Sequence, residues 1–339
     1  PVLIRFGSLL QKFTKIRHDR TRRSPILASP ELRATSPIVS NMKTHIVWFR
    51  QDLRVADNPA LIAAAASGQP VLPIYILDDV NARDWRMGGA SRWWLHHSLA
   101  ALNRSLNGRL RCFAGNALDV LPELVAEVGA TGITWNRCYE PWRIPRDRDL
   151  ESKLSEQGVD VERFNGSLLF EPPTVMKADG TPYKVFTPFY RTGCLGNAPP
   201  PAPPVAAPEL DLVDQSPSAQ ELDALRLLPD VRWYEEMAET WQPGEAGAHS
   251  RLQQFLEHGI QHYKEGRNRP DQTHVSRLSP HLHFGEISPR QVWYTALGFQ
   301  AREGFENDVD HFLSELGWRE FSHSLLYHWP HLPRKNLQS

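Results

Sequence analysis

The alternation of short apolar runs with amphipathic stretches between residues 44 and about 165 constrains the fold most strongly. The apolar runs have the length of strands: HIVWF (45–49), VLPIYIL (71–77), LRCFAG (110–115), GITWN (132–136) and VDVERF (159–164). The intervening stretches have the apolar spacing of helices and cover 59–68, 91–106, 117–130 and 145–158. This pattern predicts a doubly wound α/β fold with a parallel sheet, whose ligands bind at the carboxyl ends of the strands.

The rest of the chain changes in character after residue 170. Residues 171 to about 230 are rich in proline and include PPPAPP at 199–204, which indicates a long surface connection. From residue 248 the apolar period is helical. The faces of two predicted helices carry Leu252, Phe255, Leu256, Ile260 and Tyr263, and then Val309, Phe312, Leu313, Leu316 and Phe321.

Charge, cysteine content and apolar run length exclude several classes of protein. The formal net charge is −1, from 38 Lys and Arg against 39 Asp and Glu, so nucleic-acid binding requires a local basic patch. Three scattered cysteines indicate a reducing compartment rather than a disulfide framework. No apolar run has the length of a membrane span, so we expect a soluble protein. We also expect it to be a monomer.

Residues 1–41 are basic and lack the patterning that begins after Met42, which we interpret as the natural start. The alternatives are an organelle transit peptide, which the Arg-rich and Ser-containing composition allows, and a basic arm that touches DNA.

Common catalytic motifs are missing from the sequence. It has no G-x-G-x-x-G after the first strand, no P-loop, no G-x-S-x-G and no H-E-x-x-H. His281 and His283 lack supporting ligands at metal-binding spacing, so we predict no metal site and no hydrolytic chemistry.

The segment SRLSPHLHFGEISPRQVW (276–293) combines an arginine, hydroxyls and two Ser-Pro helix starts. Ser276, Arg277 and Ser279, together with free N–H groups at the helix start at Ser288, predict an anion site. The alternative is that Ser279 and Ser288 only cap helices while Arg277 holds a carboxylate.

A second candidate cluster lies on the last predicted helix. Glu315, Trp318, Arg319 and Ser322 recur at spacings that place them on one face, away from the apolar stripe. They fit a stacking and hydrogen-bonding surface for a flipped base or a flavin edge. The alternative is a Glu315–Arg319 ion pair of about 0.3–0.5 kcal/mol beside a partly covered tryptophan.

Five motifs together resemble the photolyase/cryptochrome family, most closely its bacterial class I cyclobutane pyrimidine dimer photolyases. They are THIVWFRQDLRVADNPAL (44–61), YEPW (139–142), YKEGRN (263–268), the 276–293 segment and ELGWREF (315–321). The resemblance implies an α/β antenna domain at 43–170, an interdomain connection at 171–245 and the first part of an all-helical FAD-binding domain at 246–339. Residues 1–42 would be an extension outside the family.

The resemblance also implies light-driven DNA repair in a bacterial cytoplasm. Reduced FAD donates an electron to a flipped-out pyrimidine dimer, the cyclobutane ring splits, and the electron returns. The catalytic residues would be Glu315 and Trp318, and damaged DNA would contact Arg267, Glu315, Trp318 and Ser322. FAD would be bound by Tyr263, Val275, Ser276, Arg277, Leu278, Ser279, Phe312, Glu315 and Arg319.

Three departures from the family pattern qualify these expectations. Val275 stands where many members have threonine. Trp142 and Arg143 stand where folate-using relatives carry Asn-Glu, so the antenna chromophore stays open between a folate and a deazaflavin. The sequence stops before the family's remaining flavin-binding helices, so we expect an inactive fragment that retains FAD poorly.

Alternative functions within the family are a cryptochrome-type photoreceptor without repair activity and a (6-4) photolyase. For DNA binding, the predicted phosphate patch consists of Arg267, Arg269, Arg290 and the Arg334–Lys335 pair.

Overall fold

A five-stranded parallel sheet forms the first half of the computed structural model, which describes residues 43–213, 216, 218–269 and 271–337. The predictions for residues 1–42 lie outside this range. The sheet order is β3-β2-β1-β4-β5, and every neighbouring pair is parallel. The predicted α/β fold is therefore confirmed. The strands are β1 (Thr44–Phe49), β2 (Val71–Leu77), β3 (Arg111–Ala114), β4 (Ala130–Asn136) and β5 (Asp160–Phe164).

Helices cover both faces of the sheet because successive side chains of a strand point to opposite sides. Val47 and Phe49 pack on one face, and Ile46 and Trp48 pack on the other. The first face is covered by α1 (Pro59–Ala66) and α3 (Gly89–Ser105), and the second by α4 (Ala117–Val128) and α5 (Arg143–Glu156). A short helix, α2 (Asp79–Ala82), follows β2.

The second half is helical and has its own core. Its helices are α6 (Glu235–Thr240), α7 (Glu245–His258), α8 (Tyr263–Gly266), α9 (Ser279–Phe284), α10 (Pro289–Gln300) and α11 (Glu306–His328). The proline-rich connection contributes a ten-residue π-helix, Pro188–Asn197, whose Phe189 and Tyr190 join this core. The connection is thus part of the helical packing and not only a surface strap.

The loop after β1 holds the sheet against α9 and α10. The buried Arg54 guanidinium donates to the carbonyl oxygens of Gly285 at 3.0 Å and of Gly166 at 2.7 Å. A side chain at Gly285 would collide with this loop, because its Cβ would lie 2.0 Å from the Gln51 carbonyl oxygen. These contacts fix the helical half at the carboxyl edge of the sheet.

Ser288 caps α10, as one of the two interpretations of the 276–293 segment predicts. Its hydroxyl accepts from the Gln291 N–H at 2.9 Å and donates to the Asp57 carboxylate. Asp57 also pairs with Arg290, with Oδ1 and Nη2 2.8 Å apart. The anion at this helix start is therefore a buried side chain of the chain itself.

Among the residues that the structure describes, we find no helix that combines the length and apolar character of a membrane span.

Candidate functional site

A cavity of about 660 Å³ lies between the carboxyl edge of the sheet and the helical half. This volume falls within the range of roughly 300–1,000 Å³ that is usual for small-molecule and cofactor sites. The sheet side of the lining follows β1, β4 and β5, as the doubly wound pattern predicts. It consists of Gln51, Arg137, Cys138, Tyr139, Glu140 and Ser167.

The helical side of this cavity brings together most of the site residues predicted from the sequence. They are Tyr263, Arg267, Val275, Ser276, Arg277, Leu278, Ser279, Phe312, Glu315 and Arg319. Trp318 and Ser322 do not line it. Trp318 is 46% exposed, and the Ser322 hydroxyl donates to the Trp318 carbonyl oxygen at 2.9 Å. The predicted single face of α11 is therefore divided between the cavity and the outer surface.

Arg277 is the arginine of this cavity that has no ion pair or side-chain hydrogen bond within the described part of the chain. The alternative in which it holds a carboxylate is therefore wrong for these residues. Its backbone is left-handed, with φ of 52°, and the Ser276 hydroxyl accepts from the next N–H, that of Leu278, at 3.4 Å. A strained backbone that presents an unpaired guanidinium to a cavity is typical of a ligand-binding turn.

The alternative interpretation, an ion pair between Glu315 and Arg319, is wrong, because each residue has another partner. Glu315 pairs with Arg267 on the segment after α8, and this hydrogen bond raises the pKa of Arg267. Arg319 pairs instead with Glu320 at 3.1 Å and donates to the Ser167 carbonyl oxygen at 2.7 Å. Glu315 and Arg319, both on the cavity face of α11, thus each have a different partner of opposite charge.

Aromatic rings form the apolar part of the cavity wall. Phe312 of α11 and Tyr263 of α8 meet edge to face, with ring centroids 5.5 Å apart. Phe255 of α7 packs behind both rings. Burial raises the pKa of Tyr263 to about 12, so its hydroxyl stays protonated at neutral pH.

Sequence analysis missed the polar network on the sheet side of the cavity. Glu171 accepts two hydrogen bonds from the Arg137 guanidinium, at 2.8 and 3.0 Å, and one from the Tyr139 hydroxyl at 2.7 Å. The available signal was the position of Arg137 and Tyr139 directly after a predicted strand, where doubly wound folds bind ligands.

Glu320 and His323 were also missed. The available signal for His323 was its spacing on α11, because it lies four residues after Arg319 and eight after Glu315, on the face that lines the cavity. Glu320 is buried, and burial raises its pKa to about 7 although Arg319 and two backbone N–H groups favour the carboxylate. Burial, assisted by Arg319, lowers the pKa of His323 to about 4. His323 is therefore neutral near pH 7, and its Nδ1–H donates to the Arg319 carbonyl oxygen at 3.0 Å.

The two histidines of the HLH motif do not form a metal site. The buried His281 imidazole is hydrogen-bonded to Glu286, which also accepts from the Trp94 indole N–H at 2.8 Å. His283 lines the cavity, and burial lowers its pKa. Within residues 43–337, apart from the few left undescribed, no His, Cys, Asp and Glu cluster could hold a metal ion.

The predicted DNA phosphate patch is only partly available. Arg290 is bound to the buried Asp57, so the prediction that it contacts phosphate is wrong. Arg269 is exposed and pairs with Asp271 at 3.1 Å. Arg334 lies 3.4 Å from the exposed Asp84.

A second cavity, of about 510 Å³, lies beside the first and is mainly apolar. Gln51, Glu140 and His283 line both cavities and form a shared wall. Trp142 and Arg143, the residues that depart from the folate-binding pattern, line the second one. Both residues also line the space above β1 and β2, together with Trp48, Arg50 and Arg146, and that space measures only about 50 Å³.

Taken together, the fold and the site define a class of protein in which an α/β sheet and a helical bundle enclose a cofactor-sized cavity. The family model described as DNA photolyase matches residues 45–208. The chain belongs to the photolyase/cryptochrome family.

The relatives of this chain include both photolyases and cryptochromes. The chain is 42% identical over 295 residues to the deoxyribodipyrimidine photo-lyase of Agrobacterium fabrum, covering 86% of the chain and 60% of that protein. It is 33% identical over 298 residues to Cryptochrome-1 of Arabidopsis thaliana, covering 84% of the chain and 43% of that protein. The chain thus spans less than two thirds of the length of these relatives.

Solved structures of photolyases also share the fold of this chain. A class III photolyase from Agrobacterium tumefaciens matches with a TM-score of 0.81 and 41% identity, over 89% of this chain and 63% of that one. An archaeal photolyase from Sulfolobus tokodaii, solved with two FAD molecules, matches with a TM-score of 0.67 and 25% identity, over 85% and 60%.

Proposed function

We propose that this chain binds FAD in the 660 Å³ cavity and takes part in the light-dependent repair of pyrimidine dimers in DNA. One observation carries the proposal: the predicted flavin-binding residues, from two distant segments and α11, line a single cavity. The name and fold of the Agrobacterium photolyases support the same activity. The class I resemblance stays a prediction, because the solved relative with the higher TM-score is described as class III.

The cavity has the polarity that a dinucleotide flavin needs. At one part of the wall, Arg277, which has no ion pair among the residues that the structure describes, offers a cation, and Ser276 and Ser279 offer two hydroxyls; these groups suit phosphates. Tyr263, Phe312 and Leu316 offer apolar surface, which suits a planar ring system. Because α9 has only six residues, we assign the anion preference to Arg277 rather than to a helix dipole.

When bound, FAD would supply the light-driven electron transfer that no side chain of the cavity can perform. The chain's own residues bind and orient the cofactor and the base. The Glu315 carboxylate, held by Arg267, accepts hydrogen bonds from a nucleobase or from the cofactor. Trp318 lies three residues further along α11 and offers an exposed indole face for stacking.

We also propose that the second cavity holds a second planar chromophore. Trp85 and Trp142 give stacking surfaces in its lining, and Arg143, which pairs with Glu140 (Nε and Oε2 3.6 Å apart), adds a cation to it. The small space above β1 and β2 argues against a tricyclic deazaflavin at that position. A folate in the larger cavity fits this geometry better, although the Asn-Glu pattern is lacking.

The domain boundaries stay as predicted in this proposal: an antenna domain at 43–170, a connection at 171–245 and a flavin-binding part at 246–339. Arg267 and Arg269 remain candidate phosphate contacts, since both are at the surface or the cavity wall.

Blue-light repair of a thymine dimer in an oligonucleotide tests the proposed activity. In a protein of the full length of its photolyase relatives, of which this chain covers 60%, we expect dimer loss in the light with added reduced FAD, none in the dark, and none with Glu315→Ala. A (6-4) photoproduct serves as the control lesion. The 33% identity to a cryptochrome keeps the photoreceptor as the second candidate, and flavin binding without repair of either lesion would favour it.

A further inference from the structure

Trp318 is the outermost of three nearly parallel aromatic rings. Its indole stacks on Phe186, with ring centroids 3.8 Å apart and an angle of 11° between the planes. Phe186 in turn stacks on Tyr190, with centroids 5.5 Å apart and an angle of 9°. Phe186 and Tyr190 belong to the proline-rich connection, so this segment supports a residue of α11.

The stack depends on a close approach between the connection and α11. A Cβ at Gly317 would lie 2.5 Å from the Tyr190 ring, so this position must lack a side chain. The buried Phe321 meets both Phe186 and Trp318, each with centroids 6.0 Å apart. Phe186 thus supports one face of the Trp318 indole, and Phe321 lies near one of its edges.

Trp318 lies three residues after Glu315 on α11, so the exposed indole and the cavity-lining carboxylate are neighbours along the helix. The indole is 46% exposed, although exposing a large apolar ring to water is unfavourable. Glu315, one turn earlier on α11, lines the cavity with Arg267. A planar group leaving the mouth of the cavity could therefore stack on the indole while Glu315 accepts a hydrogen bond from it.

We propose that Phe186, supported by Tyr190, is a positioning residue that holds Trp318 as a preorganised platform for an extruded base. The ligand class is a planar nucleobase or a fused pair of bases. This inference rests on the proposed function, because it assumes that Trp318 contacts damaged DNA. It adds a requirement that the proposed function lacks, namely that the connection segment sets the affinity for the lesion.

The test compares the binding of the full chain to two duplexes, one with a single thymine dimer and one undamaged. Variants are Phe186→Leu, Trp318→Ala, the double variant, and Phe305→Leu as a matched control. Phe305 is also a partly buried aromatic residue of the same core. Stacking on one base contributes enough that we expect Trp318→Ala to lower the affinity ratio about tenfold and Phe186→Leu about fivefold.

The double-variant cycle separates positioning from general stability. We expect Phe186→Leu to have no further effect on the affinity ratio once Trp318 is alanine. Phe186→Tyr, which keeps an aromatic ring, should keep the ratio of the wild type, and Phe305→Leu should leave it unchanged. Equal losses from Phe186→Leu in both backgrounds, or the same loss from Phe305→Leu, would overturn the inference.

Hydroxyl-radical oxidation of Trp318, read by mass spectrometry, tests the positioning without DNA. We expect Phe186→Leu to raise the Trp318 oxidation rate, and an unchanged rate would overturn the inference. A wild-type chain that binds both duplexes equally would contradict the proposed function, whereas the oxidation rate would still report on Phe186.

Discussion

The carboxylate of Glu320 lies against the guanidinium of Arg319, its neighbour in sequence, with Oε1 and Nη1 3.1 Å apart. Its other oxygen accepts from the N–H groups of Leu169 and Phe170, at 2.8 and 3.0 Å. One buried side chain thus orients a residue of the cavity wall and joins α11 to the segment after β5.

Replacing Glu320 should separate these two roles. Breaking a buried ion pair costs about 3–5 kcal/mol, so above the raised pKa of Glu320, where its carboxyl is ionised, we expect Glu320→Ala to lower the free energy of unfolding in urea by that amount. Glu320→Gln should cost less, because its amide oxygen can still accept the two backbone N–H groups. Glu239→Ala, at an exposed site on α6, is the control and should change stability by less than about 0.5 kcal/mol. Equal losses of stability in Glu320→Ala and Glu320→Gln would contradict the role of Glu320 as acceptor for the two backbone N–H groups.

His323 should make the protein less stable in acid. Burial lowers its pKa from 6.5 to about 4, so between these values the unfolded chain binds a proton that the folded chain does not. Stability from this group is therefore present above pH 6.5 and is lost as the pH falls to 4.

We expect His323→Asn, which keeps a hydrogen-bond donor, to remove this slope, worth roughly 3 kcal/mol across the window. Glu320 has the opposite sign, because its raised pKa favours the folded state more at low pH. The free energy of unfolding of the wild type and of His323→Asn must therefore be compared at each pH. Parallel curves of this free energy against pH would contradict the role of His323 in acid stability.

The left-handed backbone of Arg277 should make glycine acceptable there for folding. We expect Arg277→Gly to raise the free energy of unfolding by up to about 1 kcal/mol, because glycine adopts a φ of 52° without strain. Arg290→Gln should instead lower it by about 3 kcal/mol, because it leaves Asp57 buried without its cation. A marked loss of stability in Arg277→Gly would indicate a structural role for that guanidinium.

Arg267 should contribute to DNA binding through phosphate contact. We expect Arg267→Ala to weaken binding to damaged DNA and to reduce the slope of log affinity against log salt by about one. Arg148→Ala, which removes an exposed arginine of α5 outside the predicted phosphate patch, is the control and should leave the slope unchanged. An unchanged slope in Arg267→Ala would remove the assignment.

Local patterning predicted much of this molecule. The five strands and the helices between them follow from side-chain periodicity, and β2 matches its predicted bounds of 71–77. The Ser276–Ser279 segment and the cavity face of α11 were also identified, because their spacing and chemistry are local properties.

Contacts between distant segments could not be predicted in this way. Glu315 has a possible partner four residues away in Arg319, yet pairs with Arg267, 48 residues earlier. Trp318 was placed with Glu315 by helical spacing, but its neighbour Phe186 lies in a segment interpreted as a surface connection. Only the three-dimensional arrangement decides which of several competing partners a charged or aromatic side chain contacts.

Equilibrium titration with FAD, followed by visible circular dichroism of the flavin band, tests the central claim most directly. The account predicts an induced signal for the wild-type chain and at least about tenfold weaker binding in Arg277→Gly, since charge-assisted contacts to phosphate are lost. Riboflavin, which lacks phosphates, should bind the two proteins equally. Equal FAD affinity of the wild type and Arg277→Gly, or no induced signal at all, would contradict the assignment of this cavity to the flavin.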